Sequence, residues 1–295
     1  MKKKLIIIDG SCYLYRAFYA LQSMKNRFHE STGAIYLTLN MIKNLLKKYP
    51  HNYVVIIFDC TNKNFRNDLY SKYKKNRLPT PKNLLFQINP LIKLIQYIGI
   101  HTITNINTNV EADDIIGSLS KKMSKSGIKV LISTYDKDMI QLINNNIYIT
   151  HHTSNCIWNV EKIKLKFGFN PKLFVDYLAL IGDKSDNIPG VSGIGVKTAS
   201  ELLNKIGKLK LIYKNLDKIY NLCLRRPKYI VDKLKNNHSH ILLSYKLAKI
   251  KTNFLINIKL SQLKIKNSTF NKLNLILEKY KINKILIEDI KNVIY

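Results

Sequence analysis

Acidic residues are scarce in this chain. It carries 19 Asp and Glu against 49 Lys and Arg, a formal net charge of +30 at pH 7 over 295 residues. Cysteine is scarcer still. Cys12, Cys60, Cys156 and Cys223 show no C-x-x-C spacing and no partner His at zinc-like intervals. That excludes a zinc module and a disulfide framework and predicts free thiols in a reducing compartment. Long apolar runs are missing as well. No stretch approaches the roughly 20 residues of a membrane span. The basic start Met1-Lys2-Lys3-Lys4 leads into an apolar run of only four residues, 5–8, well short of the roughly 7–15 of a secretory signal. These absences predict a cytoplasmic protein with no membrane partner.

What is present begins with the charge. A large positive field is the footprint expected of nucleic-acid binding, because each phosphate contact releases counterions. A genome biased toward Lys, Asn and Ile would also produce it, but such a bias would scatter Asp. Here nine of the 19 acids are gathered: Asp9; Asp59; Glu111, Asp113, Asp114, Asp136 and Asp138; Asp183 and Asp186. Like charges so placed raise one another's pKa unless cations lie among them. Mg2+ and Mn2+ prefer oxygen ligands. In a two-metal site one ion activates water and the other stabilises the leaving oxygen of a phosphodiester. The pattern points to a metal-dependent enzyme acting on a polyanion.

Short apolar runs at residues 5–8 and 53–58, with weaker ones at 101–104, 130–133 and 147–149, alternate with helical periodicity over 36–48, 84–98 and 112–125. That alternation predicts an α/β fold with a mainly parallel sheet flanked by helices. In such sheets ligands bind beyond the carboxyl ends of the strands, where Asp9 and Asp59 fall directly and Asp136 and Asp138 follow within a few residues. Hydrophobic content of 46% suffices for a real core. From about Pro171 onward the pattern turns helical. The expected division is an α/β unit over 1–168, a helical unit over 169–260, and a basic, partly helical tail over 261–295, with a helix over 270–280 and no decisive pattern beyond it.

Taken singly, the acidic groups have ordinary explanations. Glu111-Ala112-Asp113-Asp114 opens a helix, where carboxylates also serve as caps and dipole partners. With about 3.6 residues per turn, Glu111 and Asp114 share a face and Asp113 is turned away by about 200°. Asp136-Lys137-Asp138 and Asp183-Lys184-Ser185-Asp186-Asn187 both suit solvated turns. Their joint occurrence is what chance does not supply. Gly190-Val191-Ser192-Gly193-Ile194-Gly195-Val196-Lys197-Thr198 reads as a tight turn into a helix that can cradle a phosphate. It equally fits a plain helix connection. A nucleotide P-loop is excluded because Val196 separates Gly195 from Lys197. Lys63, Arg66, Lys72, Lys74, Lys75 and Arg77, interleaved with Phe65, Tyr70 and Tyr73, suit single-stranded nucleic acid or a solvated amphipathic helix. Arg16, close behind Asp9, is a further phosphate contact.

Taken together, Ile8-Asp9-Gly10-Ser11, Val110-Glu111-Ala112-Asp113-Asp114, Ser133-Thr134-Tyr135-Asp136-Lys137-Asp138 and the run GDKSDNIPGVSGIGVKTA from Gly182 to Ala199 resemble the 5′→3′ exonuclease domain of bacterial DNA polymerase I, in the flap endonuclease superfamily. The likeness covers about residues 4–260. It implies a PIN-like core, a helical arch over the site and a helix-hairpin-helix element. It also implies two or more Mg2+ or Mn2+ ions: Asp9, Asp59, Glu111, Asp113 and Asp114 for the first and its surroundings, and Asp136, Asp138, Asp183 and Asp186 for the second. Tyr73, Lys74 and Arg77 would steer the scissile phosphate, with Arg16 nearby. Lys63, Arg66, Lys72 and Lys75 would bind DNA. Gly190, Gly193, Gly195, Lys197 and Thr198 would hold duplex backbone, with K+ at the hairpin.

The activity so implied is 5′ nuclease action on DNA flaps, nicks and RNA-primed ends, in primer removal and repair, by a monomer near the nucleoid. If 295 residues are the whole product, any polymerase acting with it is a separate protein. Two rivals stand: a PIN-like ribonuclease, and a DNA-binding scaffold without catalysis. Tyr135 departs from the family pattern, which has Gly there; were positive φ required, the second metal group would be displaced. Lys184 also departs, adding a charge between two of the acids.

Overall fold

The computed structural model describes residues 3–26, 28–59, 64–104, 110–151, 156–266, 270–280 and 282–294. A six-stranded sheet runs through the first half, in the order β3-β2-β1-β4-β5-β6. The strands are β1 (Lys4–Asp9), β2 (Tyr53–Ile57), β3 (His101–Ile103), β4 (Lys129–Ser133), β5 (Ile147–His151) and β6 (Cys156–Trp158). All pairings are parallel except the last, β5 with β6. Strands buried on both faces read as unbroken apolar runs, and the alternation of side chains sorts them. Leu5, Ile7, Val55 and Ile57 enter one core, while Ile6, Ile8, Val54 and Ile56 enter the other.

The second of these cores is closed by α1 (Gly10–Ala20), α2 (Gly33–Lys48) and α4 (Lys82–Ile98), the first by α5 (Ala112–Lys125). Between β2 and α4, the described residues of the segment expected to arch over the site hold one short helix, α3 (Phe65–Leu69), and then a run of turns. Helices α6 (Val160–Phe167), α7 (Phe174–Ile181), α8 (Val196–Lys205), α9 (Leu209–Lys214), α10 (Pro227–Asn236) and α11 (His238–Ala248) follow. Leu178, Leu202, Leu234 and Ile241 join the same core as the α5 face of the sheet.

Two features escaped the sequence pattern. β6 is only three residues long and pairs Ile149 with Trp158 at the sheet edge. Beyond α12 (Phe270–Lys279), α13 (Lys284–Ile294) buries Leu286, Ile287 and Ile290 and packs against α2 and α4. Among the described residues no helix is long and apolar enough to cross a membrane.

Candidate active site

Strand order reverses between β1 and β4, with β2 on the other flank of β1. Parallel sheets bind ligands at such a switch point. Asp9 ends β1 and caps α1: one carboxylate oxygen accepts from the Cys12 N–H at 2.9 Å, the other from the Thr134 hydroxyl at 2.8 Å. Thr134 Oγ1 in turn accepts from the Asp136 N–H at 3.0 Å, and Asp136 Oδ1 from the Asp138 N–H at 2.8 Å. The ends of β1 and β4 are thus tied into one rim. Asp59, two residues past β2, accepts from the Ala112 N–H at 2.8 Å and so fixes the start of α5 to the same rim. Thr134 was not singled out from sequence. Its signal was its place between β4 and the first Asp of the motif.

The second acidic group arrives from the helical half. The turns after α3 dock on the loop after α7 through three hydrogen bonds: Lys74 N–H to Asp186 O at 3.0 Å, Asn187 Nδ2 to Lys72 O at 2.7 Å and Asn76 Nδ2 to Lys184 O at 2.7 Å. This brings Tyr73, Lys74 and Arg77 among the carboxylates. Tyr73 is buried and its hydroxyl donates to Glu111 and Asp186, each at 3.2 Å. Lys74 Nζ lies 2.7 Å from Glu111 and 3.8 Å from Asp186; Arg77 pairs with Asp186. Lys137 pairs with Asp183 and lies 3.8 Å from Asp138. The sequence signal for Lys137 is its place between two expected ligands, Asp136 and Asp138.

The acids are electrostatically unequal. Burial lifts Asp9 to about 7, against hydrogen bonds from Cys12 and Thr134 that pull the other way. Burial, reinforced by Asp136, holds Asp113 well above the ordinary carboxylate range; burial and Asp136 do the same to Asp138. Asp136 is raised by burial and by Asp186. Asp183 goes the other way: burial opposes its charge, but hydrogen bonds from Lys137 and Ser185 outweigh it and lower the pKa. Lys74 is raised despite burial, by Glu111, Asp113 and Asp186, so it stays a cation. Burial and Asp9 push the Cys12 thiol up to about 12, which removes it as a nucleophile.

Several expected residues stand elsewhere. Glu111 and Asp114 do share a face, but that face holds Arg66 rather than open space. Arg66 is 2% exposed, not a solvated DNA contact. Its guanidinium meets both oxygens of Asp114 at 2.8 Å and donates to the carbonyls of Leu247 at 2.9 Å and Lys249 at 3.1 Å. The helical turn that gives Asp114 to Arg66 leaves Asp113 under the negative charge of Asp136, Glu111 and Asp59. Gly190 also departs from expectation. It is buried with φ +62°, and a Cβ there would lie 2.4 Å from the Gly182 nitrogen. Its smallness serves chain packing, not a phosphate.

Gly193, Gly195 and Lys197 are exposed at the start of α8, and Thr198 is partly so. Lys72 and Lys75 are exposed, and so is Lys184. Lys63 lies outside the described residues. Tyr135 has no positive φ; among described non-glycine residues only His29, Lys74, Asn187 and Arg226 do. Its departure from Gly therefore carries no backbone strain. Arg16 is exposed on α1, over the Tyr135 ring.

Among the described residues no three His, Cys, Asp or Glu side chains converge on one point that would hold an ion as they stand; cations of the chain lie between them instead. Two details nevertheless fit a divalent ion. Asp138 Oδ1 is buried without a hydrogen-bond partner, its cation 3.8 Å away. Asp113 forms no ion pair among the described residues, although Asp136, Glu111 and Asp59 all press on it. Both are oxygen donors in an excess of negative charge, the chemistry hard cations require.

The model of the 5′-3′ exonuclease N-terminal resolvase-like domain matches residues 4–168, and that of the 5′-3′ exonuclease C-terminal SAM fold matches 169–271. A 5′-3′ exonuclease of Buchnera aphidicola from Acyrthosiphon pisum is 49% identical over 263 residues, 89% of this chain and 91% of that one. A 5′-3′ exonuclease of Aquifex aeolicus is 36% identical, covering 97% and 95%. DNA polymerase I of Pseudomonas aeruginosa is 40% identical over 88% of this chain but only 28% of its own length. In fold, the chain resembles the T5 D15 protein co-crystallised with metal ions, with TM-score 0.67, 17% identity and coverage of 99% and 98%. The catalytic core of Rad2 in complex with DNA substrate gives 0.64, 17%, and 99% and 92%.

Proposed function

Because the chain belongs to the 5′-3′ exonuclease family and is a 5′ nuclease, we propose that it hydrolyses phosphodiesters of DNA, and of RNA primers, at 5′ flaps and nicks with divalent metal ions. The observation that carries this reading is one acidic rim: Asp9, Asp59, Asp136 and Asp138 past the strand ends and Asp113 in the first turn of α5, bridged to Asp183 and Asp186 of the helical half by Lys137, Lys74 and Tyr73. Asp9, Asp59, Asp113 and Glu111 would hold one ion, and Asp136, Asp138, Asp183 and Asp186 the other. Bound there, Mg2+ or Mn2+ would supply an activated water and charge stabilisation for the leaving oxygen. The T5 D15 protein was crystallised with metal ions, which supports metal dependence without naming the ion.

The chain's own groups do the positioning. Lys74, kept charged by three carboxylates, and Arg77 place positive charge where the scissile phosphate must enter. Tyr73 fixes their turn against Glu111 and Asp186. Arg16 waits at the rim for a second phosphate. The exposed turn of Gly193 and Gly195 with Lys197 and Thr198 would grip duplex backbone at the start of α8, where helix N–H groups favour anions. K+, which the resemblance implies, would sit at that turn. The likeness to DNA polymerase I of Pseudomonas aeruginosa supports a part in DNA replication and repair, in primer removal.

Cleavage of a 5′-flap duplex in Mg2+, in Mn2+ and in EDTA tests the reading, with Asp183→Ala alongside. Cutting near the junction that requires metal and is lost in the variant is expected. Equal cutting of unstructured single-stranded RNA would favour the ribonuclease, and tight binding without cutting the scaffold.

The raised carboxylates also make a stability prediction. Asp9 has a folded pKa of about 7 against an ordinary 3.8. As pH climbs from about 4 to about 7 the unfolded chain gives up a proton that the folded chain keeps, so stability in EDTA should fall across that window. Asp113, Asp136 and Asp138 act in the same direction. Asp183, lowered, contributes stability that is present above 3.8 and lost only as pH drops further. Ligation needs deprotonated acids, so Mg2+ should raise the melting temperature more at about pH 7.5 than at about pH 5.5. A melting temperature in EDTA that rises from pH 5 to pH 7 would contradict the assignment.

A further inference from the structure

Four basic side chains near the carboxylates are already engaged: Arg66 with Asp114, Lys74 with Glu111, Arg77 with Asp186 and Lys137 with Asp183. Arg16 differs. It is exposed, and among the described residues it makes no ion pair. What it does contact is an aromatic ring: its guanidinium carbon lies 4.1 Å from the centroid of Tyr135.

Tyr135 is held firmly enough to act as a platform. Its N–H donates to Cys12 Sγ at 3.4 Å, and the Tyr13 ring meets it edge-on at 5.9 Å and 60°. Cys12, Tyr13 and Arg16 occupy one side of α1, so the ring lies across that side of the helix. The residue next in sequence is Asp136, whose N–H is bound to Thr134 and whose carboxylate receives the Asp138 N–H. Tyr135 therefore joins α1 to the acidic rim at the point where Arg16 leaves the helix.

We propose that Tyr135 is a positioning residue, holding Arg16 at the rim so that its guanidinium meets a phosphate of the incoming strand and not a carboxylate of the site. The proposal rests on the nuclease reading above. An arginine over an aromatic face keeps its N–H edges free for bidentate contact with phosphate oxygens. Confining a long, rotamer-rich side chain before binding also lowers the entropy lost when the phosphate arrives.

The test uses the full chain with Arg16→Ala, Tyr135→Ala, Tyr135→Phe and the double variant Arg16→Ala/Tyr135→Ala. Flap-duplex binding is measured in EDTA over a range of salt, and steady-state cleavage in Mg2+. Arg16→Ala and Tyr135→Ala should each raise KM by about 5- to 20-fold, a larger change than in kcat. Each should reduce the slope of log K against log salt by about 0.9, the loss of one phosphate contact. Tyr135→Phe should restore both values, and the double variant should be no worse than either single one.

A Tyr135→Ala enzyme with unchanged KM and salt slope would overturn the proposal. So would a double variant whose losses multiply, or a Tyr135→Ala enzyme that loses only kcat and melting temperature, since the ring would then merely pack. These outcomes are separate from failure of the nuclease reading, which would show as wild-type protein that cuts no flap in any metal.

Discussion

Replacing Asp113 by Asn is expected to lower metal-dependent flap cleavage at least about 100-fold, an energy of about 3 kcal/mol in the transition state. The same variant should melt about 2–4 °C higher than wild type in EDTA, a gain of about 1 kcal/mol. Both halves follow from one arrangement. Asp113 is pressed by Asp136, Glu111 and Asp59, with Lys74 as its main offsetting charge. Without divalent ions that carboxylate is a cost to the fold, and an amide of the same shape removes it. With ions it is a ligand, and the amide is a poor substitute. Adding Mg2+ should therefore stabilise wild type clearly and the variant little. Thermal scans in EDTA and Mg2+, paired with cleavage rates, check both signs. A variant that cuts normally, or that is destabilised in EDTA, would place Asp113 outside the ion site.

The choice of Asp113 over Asp114 shows where sequence reasoning ran short. Strand ends were legible because an unbroken β-branched run followed by Asp describes a buried parallel strand and its rim, and Asp9 and Asp59 stand where that reading put them. Helical spacing correctly paired Glu111 with Asp114. It could not say what faced the pair, because Arg66 lies 48 positions from Asp114 and reads in sequence as one more base in a basic segment. Periodicity describes one element at a time, whereas ion pairs join elements. Asp183 and Asp186 were legible as a motif, but their meeting with Tyr73 and Lys74 depends on a docked turn built from hydrogen bonds to backbone carbonyls, two of them donated by Asn76 and Asn187 side chains. The same limit hid α13, whose buried face exists only because α2 and α4 offer a partner.

Arg66→Met should be the most destabilising single change among the site's neighbours, costing about 3–5 kcal/mol of folding stability and lowering the melting temperature by roughly 10 °C. The guanidinium is 2% exposed and makes four hydrogen bonds, two to Asp114 and one each to the carbonyls of Leu247 and Lys249 at the end of α11. It thus ties α3, the start of α5 and the helical half together. Methionine fills much of the volume but leaves Asp114, itself 0% exposed, with only the Lys251 N–H at 2.8 Å and the Glu111 N–H at 3.4 Å. A buried carboxylate with its countercharge removed is the expensive case, whereas an apolar pair of similar volume is often tolerated. Arg66→Met/Asp114→Leu should therefore recover part of the loss, and urea unfolding of the three proteins measures it. A DNA-contacting arginine predicts the opposite pattern: unfolding unchanged in Arg66→Met, flap affinity reduced, and a shallower salt dependence. If that pattern is found, the buried tie is not what Arg66 provides, and the basic segment after Asp59 regains it as a phosphate contact.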